Sequence, residues 1–447
     1  MTPTPVRPTP IRPTLKLLLI ADSDSQLLAC EALCQFPAQL NVAVTINAIP
    51  RDGTPESILE RAAVLGELWR LDFGRLLTEP RLRDFDAIGV FLTGSKISDF
   101  RLALGLLPIR ERPLLFCGFN GVVLQKFMEG ISWRLGYDLI GLSGQRDRDA
   151  LESMLAGTPF ANQRMVLTGM RRQLQAPEDV CPHKQRQRRL VFAEQVVMPA
   201  APQERAEMVR ILADLARRSP DWEILIKPRV APDEATFHSV DLHISETLQQ
   251  CLGHAPSNLQ LDYRPLPELL RQARLMATVS STAFFDALDL GCKPVVMADF
   301  GINPANGSHV FAGSGVWTCL DAIADLESLD RDLPAPDPHW LEWMGYGGNF
   351  APEQLIDELK ALRADPPTPI QEAPGHLSNA RLSFTQLRRD AETAINRRDW
   401  QEAESLLKLG VLIRPTHRNV ARRLRAVQHN NWVVRRLLLA ITYRDVG

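Results

Sequence analysis

Short apolar runs, each closed by a polar turn and followed by a stretch of helical period, recur along most of this sequence. The first is Leu15-Lys-Leu-Leu-Leu-Ile-Ala21, closed by Asp22-Ser-Asp-Ser25 and followed by the helical pattern Gln26 to Gln35. A run that stays apolar offers both faces of a strand for burial, the situation of a parallel strand between two helical layers. Val42 to Ile46, Ala87 to Leu92 and Pro113 to Cys117 repeat the strand signal, while Glu56 to Leu71, Ile97 to Leu107 and Val122 to Phe127 read as helix or turn. After the polar stretch Cys181 to Arg189 the alternation restarts, with strands at Leu190 to Ala193, Glu223 to Lys227, Leu259 to Leu261, Ala277 to Val279 and Pro294 to Met297. Helices are expected between them at Gln203 to Arg218, Leu266 to Ala273 and Ala283 to Leu290, the last stopped by Gly291. The alternation predicts doubly wound α/β layers, and the restart predicts two Rossmann-like domains, residues 15–180 and 181–365. Ligands are then expected where strand C-termini meet a cleft.

Both ends of the chain depart from this pattern. Pro3, Pro5, Pro8, Pro10 and Pro13 alternate with Thr and Arg in residues 1–14, which reads as a disordered or polyproline-type leader. Beyond Pro366-Pro-Thr-Pro-Ile370, residues 376–447 carry helix signals without strands. Phe384 to Arg397 and Trp400 to Leu412 form a pair in which Ala391, Ala394, Trp400, Ala403 and Pro415 stand much as in a tetratricopeptide-like hairpin, and Arg418 to Ile441 follows. One hairpin cannot bury its own apolar face, so an all-helical appendage must pack on the core or on a partner.

Charge narrows the function classes. Lys and Arg total 51 against 53 Asp and Glu in 447 residues, so the whole molecule is not an electrostatic nucleic-acid binder. The balance is a cancellation: residues 376–447 hold 14 Lys or Arg against six Asp or Glu, a net of +8, leaving 37 against 47 in the rest. With the apolar, cationic end Trp432 to Ile441, the tail is expected to meet an anionic membrane surface or an acidic protein partner, unless it packs on the core or a second subunit. No run of about 18 apolar residues predicts a spanning helix, and the N-terminus lacks a signal-peptide apolar core. The expected location is cytoplasmic, with peripheral placement at the inner face of the membrane as an option. Seven cysteines without a C-x-x-C pair read as reduced thiols, not as a disulfide framework or a zinc site.

Four groups of residues carry candidate chemistry. Ser280-Ser-Thr282 lies between a strand and a helix, where hydroxyls and the first backbone N–H groups suit a phosphate, although plain helix capping explains the same residues. Lys227-Pro-Arg229 ends a strand of the same half, and its cations suit a nucleotide phosphate. His238 could protonate the leaving phosphate if it faces the cleft. Asp22-Ser-Asp24 closes the first strand, where Asp22 or Asp24 could serve as general base toward an acceptor hydroxyl, or Asp24 or Ser25 could simply cap the helix. Two turns are weaker candidates: Cys117-Gly-Phe-Asn120-Gly121 for close approach of backbone to a substrate, and Asp299-Phe-Gly-Ile-Asn303 with Gly313-Ser-Gly315 for ribose or base contacts.

Several blocks in order carry a resemblance. Leu19-Ile-Ala-Asp-Ser-Asp-Ser25, Arg134-Leu-Gly-Tyr-Asp138, Phe192-Ala-Glu-Gln195 with Pro199, Ile226-Lys-Pro-Arg229, Val279-Ser-Ser-Thr-Ala283 and Asp299-Phe-Gly301 through Gly313-Ser-Gly315 resemble a bacterial family of glycosyltransferases over roughly residues 15–350. The resemblance implies the two-domain GT-B fold, with an N-terminal acceptor domain and a C-terminal nucleotide-sugar domain. It implies transfer from a nucleotide sugar to a bacterial glycan or other hydroxyl acceptor, metal-independent and inverting, without a cofactor. Asp22, Asp24 and His238 become the catalytic candidates, Lys227, Arg229, Ser280, Ser281, Thr282, Asp299 and Asn303 the donor contacts, and Asn120, Gly121 and Arg134 the acceptor contacts. The basic strand end with a Ser-Ser helix start is also similar, more distantly, to bacterial sialyltransferases and Kdo transferases, which use CMP-activated acidic sugars. Those enzymes show His-Pro where this chain has Lys227-Pro228. A nucleotide-sugar epimerase and a non-catalytic binding or scaffold protein are the alternative readings.

Overall fold

The computed structural model describes residues 15–34, 40–49, 56–92, 94, 96–105, 112–119, 127–158, 160–170, 177–196, 198–229, 231–232, 243–347, 352–366, 384–414 and 416–444. The leader, Asn120, Gly121 and His238 lie outside them, as does the side chain of Asp24. The first half runs β1 (Leu15–Ala21), α1 (Asp24–Leu33), β2 (Val42–Ala48), α2 (Glu56–Leu65), β3 (Glu67–Trp69), α3 (Phe73–Leu77), β4 (Ala87–Phe91), α4 (Lys96–Gly105), β5 (Leu114–Cys117), α5 (Phe127–Ser132), β6 (Leu139–Leu142), α6 (Gln145–Leu155) and β7 (Met165–Leu167). The second runs β8 (Gln187–Ala193), α7 (Pro202–Arg218), β9 (Glu223–Lys227), α8 (Ile244–Cys251), β10 (Leu259–Leu261), α9 (Leu266–Leu270), β11 (Ala273–Thr278), α10 (Ala283–Asp289), β12 (Lys293–Met297), β13 (Trp317–Thr318), α11 (Leu326–Asp332) and α12 (Pro338–Met344). Helices α13 (Pro352–Ala364), α14 (Phe384–Arg397), α15 (Trp400–Ile413), α16 (Arg418–Val427) and α17 (Trp432–Arg444) complete the chain.

The strands form two sheets, ordered β3-β2-β1-β4-β5-β6-β7 and β10-β9-β8-β11-β12-β13. Every pairing between named strands is parallel. Each sheet starts in its middle, grows to one edge and then reverses, so each has a switch point: between β1 and β4 in the first, between β8 and β11 in the second. That is the doubly wound order of a dinucleotide-binding fold, and the crevice beyond the strand C-termini at the reversal is where such folds hold ligands. Six of the seven residues of β1 are buried, as expected of a central strand covered on both faces.

Three expectations are corrected, and one segment is resolved into its elements. The helix expected over Glu56 to Leu71 ends at Leu65, and Glu67–Trp69 adds an edge strand paired with Thr45–Asn47. Gly66 is the reason, since a Cβ there would lie 2.1 Å from the Val44 carbonyl oxygen and only a bare backbone can approach so closely. The helix expected over Leu266 to Ala273 stops at Leu270, and Ala273 already pairs in β11. Arg418 to Ile441 is two helices, the second begun by Asn431, whose side-chain oxygen accepts from the Val433 and Val434 amides. The span 181–365 expected for the second domain is too long at its end. In α13, Leu355, Ile356, Leu359 and Leu362 are fully buried in the core formed by β1 and the strands beside it, and Arg363 pairs with Asp86. The chain therefore returns to the first domain before the helical region begins.

The helical region is not a free appendage. Phe384, Leu387, Ala391, Leu407 and Leu424 share a core with Leu18, Phe100, Tyr137 and Leu151 of the first domain. Lys408 is buried there, its ammonium donating to the carbonyls of Ser153 and Ala156 at 2.5 and 3.3 Å. Among the described residues no helix is long and apolar enough to cross a membrane.

Candidate functional site

The second switch point brings together residues from three strand ends. Glu194 follows β8 and is buried with Arg205, which sits in the first turn of α7; their ion pair spans 2.6 Å and the side chains are 4% and 8% exposed. The other Glu194 oxygen accepts from the Arg229 amide at 3.1 Å, and the Glu194 amide donates to the Lys227 carbonyl at 3.1 Å. The end of β9, with Lys227 and Arg229, is thus tied to the end of β8. Arg205 also donates to the carbonyls of Gln195 and Val196 at 3.0 and 3.1 Å, which fixes the course of the loop. Gln195 then reaches across to β11, where its Oε1 accepts from the Ser280 amide at 2.9 Å and lies 3.4 Å from Thr278 Oγ1.

The turn from β11 into α10 corrects one expectation. Three of its first amides are already taken, Ser280 N–H by Gln195, Ser281 N–H by Thr278 Oγ1 at 3.3 Å and Ala283 N–H by Ser281 Oγ at 3.2 Å. A serine-threonine turn of this kind satisfies its own backbone. Thr282 stands at the N-cap without a side-chain capping bond. What the turn presents is hydroxyl chemistry: Ser281 Oγ accepts one bond and retains its proton to donate. Lys227 is half-buried with its ammonium 2.5 Å from the Pro228 carbonyl, and the Arg229 side chain is exposed.

Asp299 and Asn303 serve the loop that carries them. The Asp299 carboxylate accepts from the amides of Leu320 and Asp321, both at 2.9 Å. Asn303 Oδ1 accepts from the Ala305 and Asn306 amides, while Nδ2 donates to the Phe300 carbonyl at 3.0 Å. Ser308, fully buried, closes the loop by bonding Asn306 Oδ1 at 2.6 Å.

In the first domain, Asp22 stands at the β1 side of the switch point, 2% exposed, with Lys96 of α4 at 2.8 Å and its own amide bonded to Gln26 Oε1. Helix α1 begins at Asp24 and is capped by Ser23, without a side-chain bond, so neither Asp24 nor Ser25 is the cap. Arg134 lies flat on Phe119, 4.0 Å from the ring centre, and donates to the Gly118 and Gly130 carbonyls at 2.8 and 2.7 Å. Burial lowers its pKa. Its guanidinium therefore shapes the end of β5. Cys117 beside it is pushed up to about 12 by burial, so it stays a thiol.

Glu194 and Gln195 stand in the sequence only within the block Phe192 to Gln195, with no role attached, and Arg205, Thr278 and Lys96 carry no motif; the structure places all five at the two switch points. The signal was present, since a charged residue directly after a buried parallel strand repeats at Asp22 and Glu194. Among the described residues no three His, Cys, Asp or Glu side chains are grouped so as to hold a metal ion.

Two doubly wound domains in one chain, followed by a helix that returns from the second to the first, make the GT-B class of architecture. The family follows from the sequence as a whole: residues 17–362 match the family described as "Putative glycosyltransferase (DUF6716)", and the chain belongs to it. No curated protein matches the sequence. Similar solved structures include the Staphylococcus aureus MnaA–UDP complex, with 13% identity and a TM-score of 0.49 over 78% of this chain and 96% of that one. Arabidopsis thaliana UGT89C1 complexed with UDP has 13% identity and a TM-score of 0.47 over 78% of this chain and 100% of that one. UDP-GlcNAc 2-epimerase from Neisseria meningitidis bound to UDP-GlcNAc has 12% identity and a TM-score of 0.49 over 78% and 100%.

Proposed function

We propose that the protein transfers a glycosyl group from a nucleotide sugar to a hydroxyl acceptor, with the donor phosphate bound at the second switch point. The observation that carries this reading is the cluster at the ends of β8, β9 and β11, where Glu194 and Arg205 fix the backbone that carries Lys227 and Arg229 on one side of β8, while Gln195 ties the turn bearing Ser281 and Thr282 on the other. Two cations and two hydroxyls match the charge and the acceptor oxygens of a departing nucleotide phosphate. They can offset that charge without a divalent ion, which supports a metal-independent mechanism; one direct displacement by the acceptor makes it inverting in this reading. Asp22, held as a carboxylate-ammonium pair with Lys96, is the general base toward the acceptor in this reading. His238 is the candidate acid, and a CMP-activated acidic sugar the candidate donor. Asp299 and Asn303 shape the donor loop and Arg134 the acceptor side.

The test is thermal shift of the full chain against CMP, UDP and GDP, followed by donor hydrolysis with the best nucleotide. A ligand at about 100 times its Kd adds roughly 2.7 kcal/mol of stability, and Arg229→Ala and Ser281→Ala should each cost on the order of 100-fold in turnover. No shift with any nucleotide, or unchanged turnover in both variants, refutes the assignment.

A further inference from the structure

Helix α17 turns an apolar face outward. Leu439 and Thr442 point inward and are buried, and Arg435 lies over Trp400 at 4.6 Å while donating to the His429 carbonyl. On the opposite side Val433, Leu437 and Ile441, spaced four residues apart and so stacked along one helix face, are 44%, 61% and 56% exposed, and Trp432 at the start of the helix is 70% exposed. From Val433 to Ile441 the stripe runs about 12 Å along the helix, and contiguous exposed aliphatic side chains with a tryptophan at one end mark an interaction surface.

We infer that this face docks on an anionic lipid bilayer. The charge around it selects the occupant. Residues 376–447 carry a net +8, and Arg418, Arg425 and Arg436 are exposed on α16 and α17 themselves. A second copy of the chain would bring the same positive region against itself, whereas anionic headgroups complement it. The stripe is aliphatic, with an exposed tryptophan at the start of the helix and the exposed Arg436 on the same helix, the anatomy of a helix lying in the membrane interface. Because Lys408 and its neighbours fix the helical region to the first domain, lipid contact brings that domain to the bilayer.

The experiment is co-sedimentation of the full chain with phosphatidylcholine vesicles, with and without phosphatidylglycerol. The chain is expected to pellet with the anionic vesicles alone, and less so at about 1 M salt, where the screening length falls to about 3 Å. Leu437→Glu with Ile441→Glu should abolish pelleting, and Arg436→Ala should lower the partition coefficient about fivefold, the equivalent of about 1 kcal/mol per cation near the surface. An unchanged melting temperature shows that these exposed positions leave the fold intact. Three results overturn the inference: no pelleting with anionic vesicles, which leaves an acidic protein as the occupant; equal pelleting with both vesicle types or with the double variant; or a dimer in sedimentation velocity that the double variant dissociates.

Discussion

Replacing Glu194 by alanine tests the frame that ties the ends of β8 and β9 together. The substitution removes one oxygen from Arg205, 2.6 Å away, and another from the Arg229 amide, 3.1 Å away. With side chains 8% and 4% exposed, the guanidinium left behind keeps, among the described residues, the Gln195 and Val196 carbonyls. Removing one partner of a buried pair costs about 3–5 kcal/mol, and at about 4 kcal/mol a domain of this size loses roughly 8–16 °C in Tm. Denaturant unfolding followed by tryptophan fluorescence is a suitable assay, since Trp222 and Trp340 lie in the core of the second domain. The double variant Glu194→Met with Arg205→Met should recover part of the loss, because well-packed apolar residues replace a buried pair at little cost. A cost below about 1 kcal/mol in Glu194→Ala, or a double variant no better than the sum of the singles, would show that water already screens the pair and that the frame is held otherwise.

Gly144→Ala is expected to loosen the contact between the domains, because its Cβ would lie 2.4 Å from the Gly345 nitrogen and 2.6 Å from the Trp343 carbonyl oxygen; a loss of about 1–3 kcal/mol and faster proteolysis near residue 345 would be the readout. His417 caps α16 by accepting from the Val420 amide, and its pKa is lowered by burial first and then by Arg388, Arg414 and Arg423. The folded chain therefore binds this proton less readily than the unfolded one. The capping stability is present above pH 6.5 and lost as pH falls through that value and the lower folded one. Protection factors in α16, taken relative to the intrinsic exchange rate at each pH, should fall from pH 7 to 5, and His417→Asn should remove that dependence. Cys319 is exposed while Cys117 and Cys292 are buried with pKa values pushed up to about 12, so thiol reagents should label Cys319 in the native protein and the other two only after unfolding.

Elements whose information is local were readable from their own residues. Glu223–Lys227, Leu259–Leu261 and Phe384–Arg397 occur as expected, because an unbroken apolar run or a clear helical period needs no distant partner to be recognised. The short strands Glu67–Trp69 and Met165–Leu167 were not readable, being three residues long and strands only because neighbouring strands offer backbone partners. The same division runs through the site. Lys227, Arg229 and Ser281 are recognisable by type and position as candidates for a phosphate, while Gln195 could not be tied to Ser280, 85 residues away, without the sheet order.

The alternation of apolar runs with helical periods was enough to determine two doubly wound layers, since burial on both faces leaves a parallel strand no other place. The basic character of the last 72 residues likewise followed from counting. Tertiary structure alone decided that α13 returns to the first domain, that the serine turn spends its amides on Gln195 and Thr278, and which face of α17 stays outside. The physical reason is that an amphipathic pattern states which side must be covered but not what covers it. A polar side chain states what it can bond, and only its neighbours in space determine whether that bond is already made.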